Sequence, residues 1–206
     1  MKVIVLAAGC SKRMGQAKQL LKWQGKTMLQ HCLDKLTPCD VEIILVLGAY
    51  ASEIKRTLKQ HYKIIENPQW QSGMGSSIVL AMEELNEKDQ AVMVILADQP
   101  AVSASNIQTL LNHWKNKPEH ICCSYSESFL TVPAIFPKQY FSELSNLSAN
   151  NGAKAILKRE AEILTQVSMP NTEININTID DWNHWLRQLA TQQDIPEDTN
   201  HEIYAE

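Results

Sequence analysis

Short runs of apolar residues alternate along the chain with segments whose apolar positions repeat at helical spacing. The runs are rich in valine and isoleucine and lie at residues 3–8, 41–47, 64–65 with their flanks, and 92–97. Continuous apolar runs are typical of strands that are covered on both faces, as in a parallel sheet. Shorter strands are expected at residues 121–125, 134–136 and 163–167, and an antiparallel insertion among them is left open.

Helical segments separate these runs and indicate how the sheet is covered. Apolar side chains share one helical face in three segments, which are Met28, Cys32, Leu33 and Leu36; Ile107, Leu110, Leu111 and Trp114; and Trp182, Trp185, Leu186 and Leu189. We interpret the tryptophans as core residues. Strand–helix alternation at this pitch predicts right-handed crossovers and a single-domain, three-layer α/β/α sandwich with a Rossmann-like, mostly parallel sheet.

Length and composition fit one globular domain followed by a short acidic tail. Of the 206 residues, 44% are apolar and 20% are charged, which is ordinary for a soluble protein. We expect the domain to occupy residues 1–190 and residues 191–206 to form a flexible, acidic tail. The five cysteines form no C-x-x-C pair, and no signal peptide or apolar run of membrane-spanning length is present. A cytoplasmic protein with no membrane partner is therefore expected.

The charges are unevenly distributed, and the basic ones gather at the start of the chain. No acidic residue occurs between Met1 and Leu33, whereas that stretch contains Lys2, Lys12, Arg13, Lys18, Lys22 and Lys26. Such a concentration of positive charge suits an anion such as a polyphosphate. A solvated basic face is the alternative, and charge alone would favour it.

The loop after the first strand has the composition of an anion-binding site. Ala7, Ala8 and Gly9 are small enough to let the backbone approach a ligand closely, and Gly9 tolerates a positive φ. Turned backbone N–H groups form a concave site for an anion. Arg13 and Lys18 would reinforce that site with full positive charges.

Two familiar phosphate-binding loops are excluded by single residues. The Rossmann fingerprint G-x-G-x-x-G fails because Ser11 stands where the second glycine is required. The triplet Gly25-Lys26-Thr27 resembles the end of a Walker A loop, but Leu20 replaces that loop's first glycine. We expect the triplet to form a turn before a helix that starts near Met28.

The stretch from Leu6 to Leu21 matches the pattern L-A-A-G-x-S-x-R-M-G-x-x-K-x-L-L at every fixed position. It resembles the signature of the MobA-like nucleotidyltransferases, and most closely that of the molybdenum cofactor cytidylyltransferases. The resemblance implies a fold of the nucleotide-diphospho-sugar transferase type and a loop that wraps a nucleoside triphosphate. The residues it places on the nucleotide are Leu6, Ala7, Ala8, Gly9, Ser11, Lys12, Arg13 and Lys18. In this family alanine at position 8 accompanies CTP and glycine accompanies GTP, so CTP is favoured.

A second stretch resembles the family's other nucleotide loop, where backbone and hydroxyl groups contact the base. It has the pattern N-P-x-W-x-x-G-M-x-S-S, in which the resemblance assigns nucleotide contacts to Gly73, Ser76 and Ser77. A structural alternative for Ser76 is an N-cap on the helix that carries Ile78 and Met82. The two roles are compatible.

The segment L-A-D-Q-P at residues 96–100 resembles the family element whose aspartate holds Mg²⁺. A carboxylate at the end of a buried strand is costly unless it meets a cation or hydrogen-bond donors, and Mg²⁺ prefers a few carboxylate oxygens together with phosphates and waters. The resemblance therefore makes Asp98 a metal ligand and, with Arg13 and Lys18, a catalytic residue. A structural alternative is that Asp98 caps the next turn.

The closing element at residues 175–181 resembles a further metal-binding motif, with Asn175 and Asn177 at positions where cytidylyltransferases usually have aspartate.

Two motifs on the acceptor side depart from the family pattern. Residues 131–136 lack the glycine and histidine of G-H-P-x-x-F, and residues 149–154, which include Asn150, lack the aspartate of G-D-x-G-A-R. The acceptor is consequently the least defined part of the prediction.

The resemblance implies transfer of CMP from CTP to a phosphorylated acceptor such as molybdopterin or the molybdenum cofactor, with Mg²⁺ bound and pyrophosphate released. Contact with a molybdoenzyme or its chaperone would follow, and no nucleic-acid partner is expected. Three alternatives remain open: transfer from GTP, a sugar or alcohol phosphate as acceptor, and a non-catalytic nucleotide-binding relative.

Overall fold

A seven-stranded sheet with helices on both faces forms the body of the protein. The computed structural model describes residues 1–59, 62–126, 129–149, 151–170, 172 and 174–193. The strands in these ranges are β1 (Lys2–Ala7), β2 (Lys22–Trp23), β3 (Lys26–Thr27), β4 (Glu42–Leu47), β5 (Lys63–Glu66), β6 (Ala91–Leu96), β7 (Cys122–Ser126), β8 (Phe129–Pro137) and β9 (Thr165–Ser168). The helices are α1 (Met28–Asp34), α2 (Ala51–Thr57), α3 (Met74–Met82), α4 (Ala104–Asn116), α5 (Phe141–Ser145), α6 (Lys154–Arg159) and α7 (Ile179–Gln193).

The strand order in the main sheet is β5-β4-β1-β6-β8-β7-β9. Strand β1 lies in the centre, parallel to β4 on one side and to β6 on the other, and β5 continues the parallel set. Strand β8 is antiparallel to both β6 and β7, whereas β9 is parallel to β7. The mostly parallel sheet predicted from the apolar runs is confirmed, and β8 supplies the antiparallel insertion.

Successive side chains of β1 point into two different layers of the core. All six residues of β1 are buried. Val3 and Val5 pack with apolar residues of α1, α2 and α4, whereas Ile4 and Leu6 pack with those of α3, α5 and α6. Because side chains alternate across a strand, a continuous apolar run can supply both faces at once. This arrangement is the predicted three-layer sandwich.

Helix α7 closes the structure over the segment that follows the N-terminal loop. Trp182 and Trp185 are buried against Met28, as expected for core tryptophans. The rings of Trp23 and Trp185 meet edge to face, with their centroids 4.6 Å apart. Met14 also packs against this aromatic cluster, so the far end of the N-terminal loop is fixed by α7.

A few boundaries differ from those expected. Helix α1 ends at Asp34, so Leu36 lies beyond it, although Leu36 is still buried. Ile163, expected within a strand, precedes β9 and is 57% exposed. The turn expected before Met28 is present as a β2–β3 hairpin in which Gln24 and Gly25 have φ values of 49° and 72°. Residues 194–206 of the expected tail lie outside the described ranges. No helix within those ranges is long and apolar enough to cross a membrane.

Helix α3 packs very closely against the chain that precedes α6. The amide of Gly75 donates to the Ala149 carbonyl at 3.0 Å, and a Cβ on Gly75 would lie 2.2 Å from the Ser148 carbonyl oxygen. At Gly152 an added Cβ would meet only the flexible Met74 side chain, at 3.2 Å.

Substitution of Gly75 by alanine should therefore destabilise the protein. Overpacking against backbone atoms costs about 1–3 kcal/mol, which exceeds the helix propensity gained with alanine. Urea unfolding should show that loss for Gly75→Ala and little change for the control, Gly152→Ala. Equal stability of the two variants would contradict the close packing of Gly75 against the backbone of Ser148 and Ala149.

Candidate functional site

The candidate site lies beyond the carboxyl ends of β1, β4 and β6, where open α/β sheets bind their ligands. Three segments meet there. They are the loop after β1, the segment around Asp98 that follows β6, and the chain around Ile176 that leads into α7. The Ile176 amide donates to the Asp98 carbonyl at 3.1 Å, which joins the last two segments.

The backbone carbonyls at the start of the loop after β1 point into the protein. The side-chain Nε2 of Gln19 donates to the carbonyls of Ala7 and Gly9, at 2.8 Å and 3.0 Å. Between them, the Ala8 carbonyl accepts a hydrogen bond from the amide of Ala49 at 3.2 Å. The loop therefore exposes none of these three acceptors to an incoming anion.

The next two carbonyls of the loop also have hydrogen-bond donors. The carbonyl of Cys10 accepts a hydrogen bond from the Tyr50 hydroxyl at 3.3 Å, and the Ser11 carbonyl accepts from the Met14 amide at 2.8 Å. By contrast, no amide from Gly9 to Arg13 donates a hydrogen bond to any residue that the structure describes. Consecutive amides with no protein partner, above inward-facing carbonyls, form a concave site for an anion.

Positive φ angles in this loop fall on Ser11 and Gly15, at 50° and 73°, and not on Gly9 as expected. The Ser11 hydroxyl accepts a hydrogen bond from the Lys18 amide at 3.3 Å, so this serine braces the turn. A Cβ added to Gly9 would meet no protein atom within 4 Å. Gly9 is consequently required neither by its φ nor by protein packing, which leaves close approach of a ligand as the remaining reason for its small size.

Lys18 and Asp98, which are distant in sequence, form an ion pair at the centre of the site. The Lys18 ammonium contacts Oδ2 of Asp98 and donates to the Ile176 carbonyl at 2.9 Å. The side chains of Lys18 and Asp98 are 13% and 19% exposed. Among the described residues no amide donates to the Asp98 carboxylate, so Asp98 is not the turn cap considered as an alternative.

The second carboxylate oxygen of Asp98 makes the site suitable for a hard cation. This atom, Oδ1, is buried and has no hydrogen-bond partner among the described residues. Asn175 and Asn177 flank Ile176 and therefore lie in the segment that passes Asp98. No cluster of three or more acidic, histidine or cysteine ligands occurs in the part of the chain that the structure describes. A single carboxylate supplemented by amide, phosphate and water oxygens fits Mg²⁺.

Asp181 orients the start of α7 beside the N-terminal loop. Its carboxylate accepts hydrogen bonds from the amides of Asn177 and Thr178, at 2.9 Å and 2.8 Å, while the Thr178 hydroxyl accepts from the Asp181 amide at 3.1 Å. Burial alone would raise the pKa of Asp181, but these hydrogen bonds and the positive charge of Arg13 lower it below its usual value. Arg13 therefore lies within electrostatic reach of the closing segment. A Thr-x-x-Asp capping pattern was the available sequence signal for this role.

The second loop is organised by a buried asparagine that the sequence analysis did not single out. Nδ2 of Asn67 donates to the hydroxyls of both Ser76 and Ser77 at 2.9 Å, and the Gln69 amide donates to its Oδ1 at 2.8 Å. The Ser76 hydroxyl donates in turn to the Gly73 carbonyl at 2.7 Å. Gly73, with φ 125°, is the N-cap of α3. Ser76 lies inside the helix, so the alternative that it is the N-cap of this helix is wrong.

The two loops meet at Gly48, which also escaped the sequence analysis. A Cβ on Gly48 would lie 2.5 Å from the Ala8 carbonyl oxygen and 2.8 Å from Cβ of Trp70. Ala8 is buried beside it, with 8% of its surface exposed. Only glycine permits so close an approach. In the sequence, the one sign of this role is that Gly48 directly follows the apolar run of β4.

The other expected nucleotide-binding residues differ in their exposure. Leu6 is the penultimate residue of β1, and its side chain is buried in the core beneath the loop. Lys12 and Arg13 are exposed, and Lys18 is half-buried. The structure thus brings Arg13, Lys18 and Asp98 to one end of the sheet, with the unpartnered loop amides beside them.

On the acceptor side, the altered motif at residues 131–136 lies in β8, and the other altered motif precedes α6. Nε2 of Gln99 donates to the carbonyls of Val132 and Thr172, at 3.0 Å and 2.7 Å, and so ties β8 to the segment after β9. Gln99 is 3% exposed. Asn150 lies outside the described residues.

Comparisons with known proteins agree with this geometry. Residues 3–163 match the family model of the MobA-like NTP transferase domain. The nicotine blue oxidoreductase of Paenarthrobacter nicotinovorans is 28% identical over 192 residues, which cover 86% of this chain and 92% of that protein. The bifunctional protein GlmU of Geobacillus sp. (strain WCH70) is 31% identical over 140 residues, which cover 66% of this chain but only 29% of that protein.

Solved structures share the fold at low sequence identity. Rv0371c from Mycobacterium tuberculosis H37Rv has a TM-score of 0.79 at 22% identity, covering 91% of this chain and 98% of that one. Molybdopterin-guanine dinucleotide biosynthesis protein A from Archaeoglobus fulgidus has a TM-score of 0.69 at 19% identity, covering 93% of this chain and 100% of that one. The family match spans most of the sheet and both nucleotide loops, and the chain therefore belongs to the MobA-like NTP transferase domain family.

Proposed function

We propose that this protein transfers a nucleotidyl group, CMP in preference to GMP, from a nucleoside triphosphate to a small phosphorylated acceptor and releases pyrophosphate. One observation carries the proposal. In the loop after β1 the carbonyls from Ala7 to Ser11 all accept hydrogen bonds from other residues, whereas the amides from Gly9 to Arg13 have no described partner. Lys18 and Asp98 lie at the same end of the sheet, so the amides, the ammonium and the carboxylate can together bind a triphosphate and its cation.

The chemistry needs alignment and charge more than proton transfer. An oxygen of the acceptor phosphate is already ionised at neutral pH, so it attacks the α-phosphorus without a general base. The bond between the α-phosphorus and the pyrophosphate oxygen breaks, and pyrophosphate leaves with the bonding electrons. Arg13 and Lys18 stabilise the charge that develops on the phosphoryl oxygens. Asp98, with Asn175 and Asn177 beside it, would hold Mg²⁺, which when bound neutralises part of that charge.

For the acceptor we propose molybdopterin or the molybdenum cofactor. The support is the family membership together with the shared fold of the Archaeoglobus protein, whose name refers to molybdopterin-guanine dinucleotide biosynthesis. Such an enzyme would act in the cytoplasm and would deliver its product to a molybdoenzyme or its chaperone. The altered residues in β8 make a sugar or alcohol phosphate the second acceptor class to test.

The decisive assay measures pyrophosphate release in the presence of Mg²⁺. Each nucleotide, CTP or GTP, is tested with each acceptor, molybdopterin or a sugar 1-phosphate. A redox reaction, such as the one named for the Paenarthrobacter relative, releases no pyrophosphate. Burial raises the pKa of Cys32 to about 11 and those of Cys122 and Cys123 to about 12, so these thiols stay protonated at neutral pH. Nucleotide binding without release of pyrophosphate from the nucleotide, whichever acceptor is added, would favour a non-catalytic relative.

Arg13→Ala and Lys18→Ala should each reduce turnover about a hundredfold at saturating nucleotide. Loss of one charge-assisted contact to a transition-state phosphate costs about 3 kcal/mol. Lys22→Ala is the control, because Lys22 is an exposed lysine of the same basic stretch that lies in the β2–β3 hairpin. Near-wild-type turnover of both test variants would refute the phosphate-binding role.

Asp98→Asn should remove most of the Mg²⁺ dependence of nucleotide binding, since an amide oxygen lacks the charge that attracts the cation. Calorimetric titration of CTP with and without Mg²⁺ measures that dependence. Asp89→Asn is a matched control, because Asp89 also pairs with a buried lysine, Lys2, at a distance of 3.0 Å near the opposite end of β1. If Asp98→Asn keeps the wild-type dependence, the metal is bound elsewhere.

Ala8→Gly should narrow the preference for CTP over GTP. The methyl group of Ala8 lies under the junction of the two loops, where it would crowd a purine more than a pyrimidine. Steric discrimination of this kind is worth about 1–3 kcal/mol. Ala91→Gly is the control, because it removes a buried methyl group at the start of β6, at the other end of the sheet from both loops. A wild-type preference for GTP, or an unchanged ratio in Ala8→Gly, would argue against the cytidylyl assignment.

A further inference from the structure

Gln19 is a buried polar residue that the nucleotidyl-transfer mechanism leaves unexplained. It lies in the short 3₁₀ helix Lys18–Leu20 and is 2% exposed. Its Nε2 donates to two carbonyls of the loop after β1, those of Ala7 and Gly9, and its Oε1 is buried without a partner among the described residues. A buried polar atom without a partner destabilises a protein. An apolar side chain would avoid that cost but would leave the carbonyls of Ala7 and Gly9 without this donor, so the role of Gln19 is tied to these two hydrogen bonds.

The two hydrogen bonds fix the direction of the neighbouring amides. In a trans peptide the carbonyl of one residue and the N–H of the next point in opposite directions. When Gln19 holds the Gly9 carbonyl toward the core, the N–H of Cys10 must point away from the core. The Cys10 N–H is one of the loop amides that have no described protein partner.

Gln19 also connects this loop with the ion pair. It directly follows Lys18, whose ammonium contacts Asp98. The anchoring of Gln19 beneath the loop therefore sets the position from which the Lys18 side chain reaches across the site. The side-chain amide of this one buried glutamine thus sets the geometry of both the backbone N–H donors of the loop and Lys18.

We propose that Gln19 is a positioning residue that holds the peptide planes of the loop so that its amides face the phosphates of the nucleotide. This inference rests on the proposed function. It predicts that loss of the Gln19 donors weakens binding of any polyphosphate, whatever the base, because the affected contacts are to phosphate.

Gln19→Met keeps the length of the side chain but removes both donors, and Gln19→Glu replaces the donors with a carboxylate facing two carbonyl oxygens. Gln30→Met is the matched control. Gln30 is also a buried glutamine, 5% exposed, with an unpartnered Oε1, but its Nε2 donates at 2.7 Å to Asp34 on α1. Melting temperatures of all variants show what each substitution costs in stability.

Calorimetry should show about tenfold weaker binding of both Mg²⁺–CTP and inorganic tripolyphosphate to Gln19→Met, because binding must then also order the loop amides. Gln19→Glu should lose more, and Gln30→Met should bind like the wild type. The ¹⁵N order parameters of residues 9–13 should fall in Gln19→Met only. A purely structural glutamine would lower the melting temperature without changing the affinity or these order parameters.

The outcomes separate the two proposals. If the wild type binds neither CTP, GTP nor tripolyphosphate, the proposed function fails, while the order parameters still decide whether Gln19 holds the loop. If the wild type binds and Gln19→Met binds equally well with unchanged order parameters, the positioning role is overturned and the proposed function stands.

Discussion

The candidate site depends on how the backbone carbonyls after β1 are satisfied. A buried carbonyl that lacks a donor destabilises the fold, so each one must find a partner. Here the donors come from separate parts of the chain: the Gln19 side chain, the Ala49 amide after β4, and the Tyr50 hydroxyl at the start of α2. Once these partners hold the carbonyls inward, planar peptide geometry turns the amides outward. An anion site is thus a consequence of hydrogen-bond satisfaction in the surrounding fold.

Charge adds to this backbone arrangement and does not replace it. The ion pair between Lys18 and Asp98 is largely buried, and a pair of this kind contributes little net stability because both charges lose hydration. Under the proposed function, the pair lies beside the loop amides because its opposite charges would rearrange around a phosphate and a cation. The loop after β1 carries only basic charges, and the carboxylates that interact with Lys18 and Arg13, those of Asp98 and Asp181, come from distant segments.

The sequence predicted what depends on local pattern. The buried strands followed from continuous apolar runs, and the family resemblance assigned Lys18 and Asp98 to one site, where the structure pairs them. Features that depend on tertiary contact were missed. Gly48 matters only because Ala8 and Trp70 approach it. The N-cap predicted for Ser76 was wrong because Gly73 ends the preceding turn with a positive φ, while Asn67 engages the serine hydroxyl.

The nucleotide side and the acceptor side are built in different ways. The loop after β1 offers backbone amides, whose chemistry does not depend on side-chain identity, provided that Gln19 and the residues after β4 hold the loop. The proposed acceptor side consists of side chains of β8 and of the segment before α6, which Gly75 ties to α3. Substitutions in β8 can therefore accumulate without disturbing the peptide planes of the loop after β1. This separation explains how a chain can keep every fixed residue of the N-terminal motif while its acceptor motifs diverge.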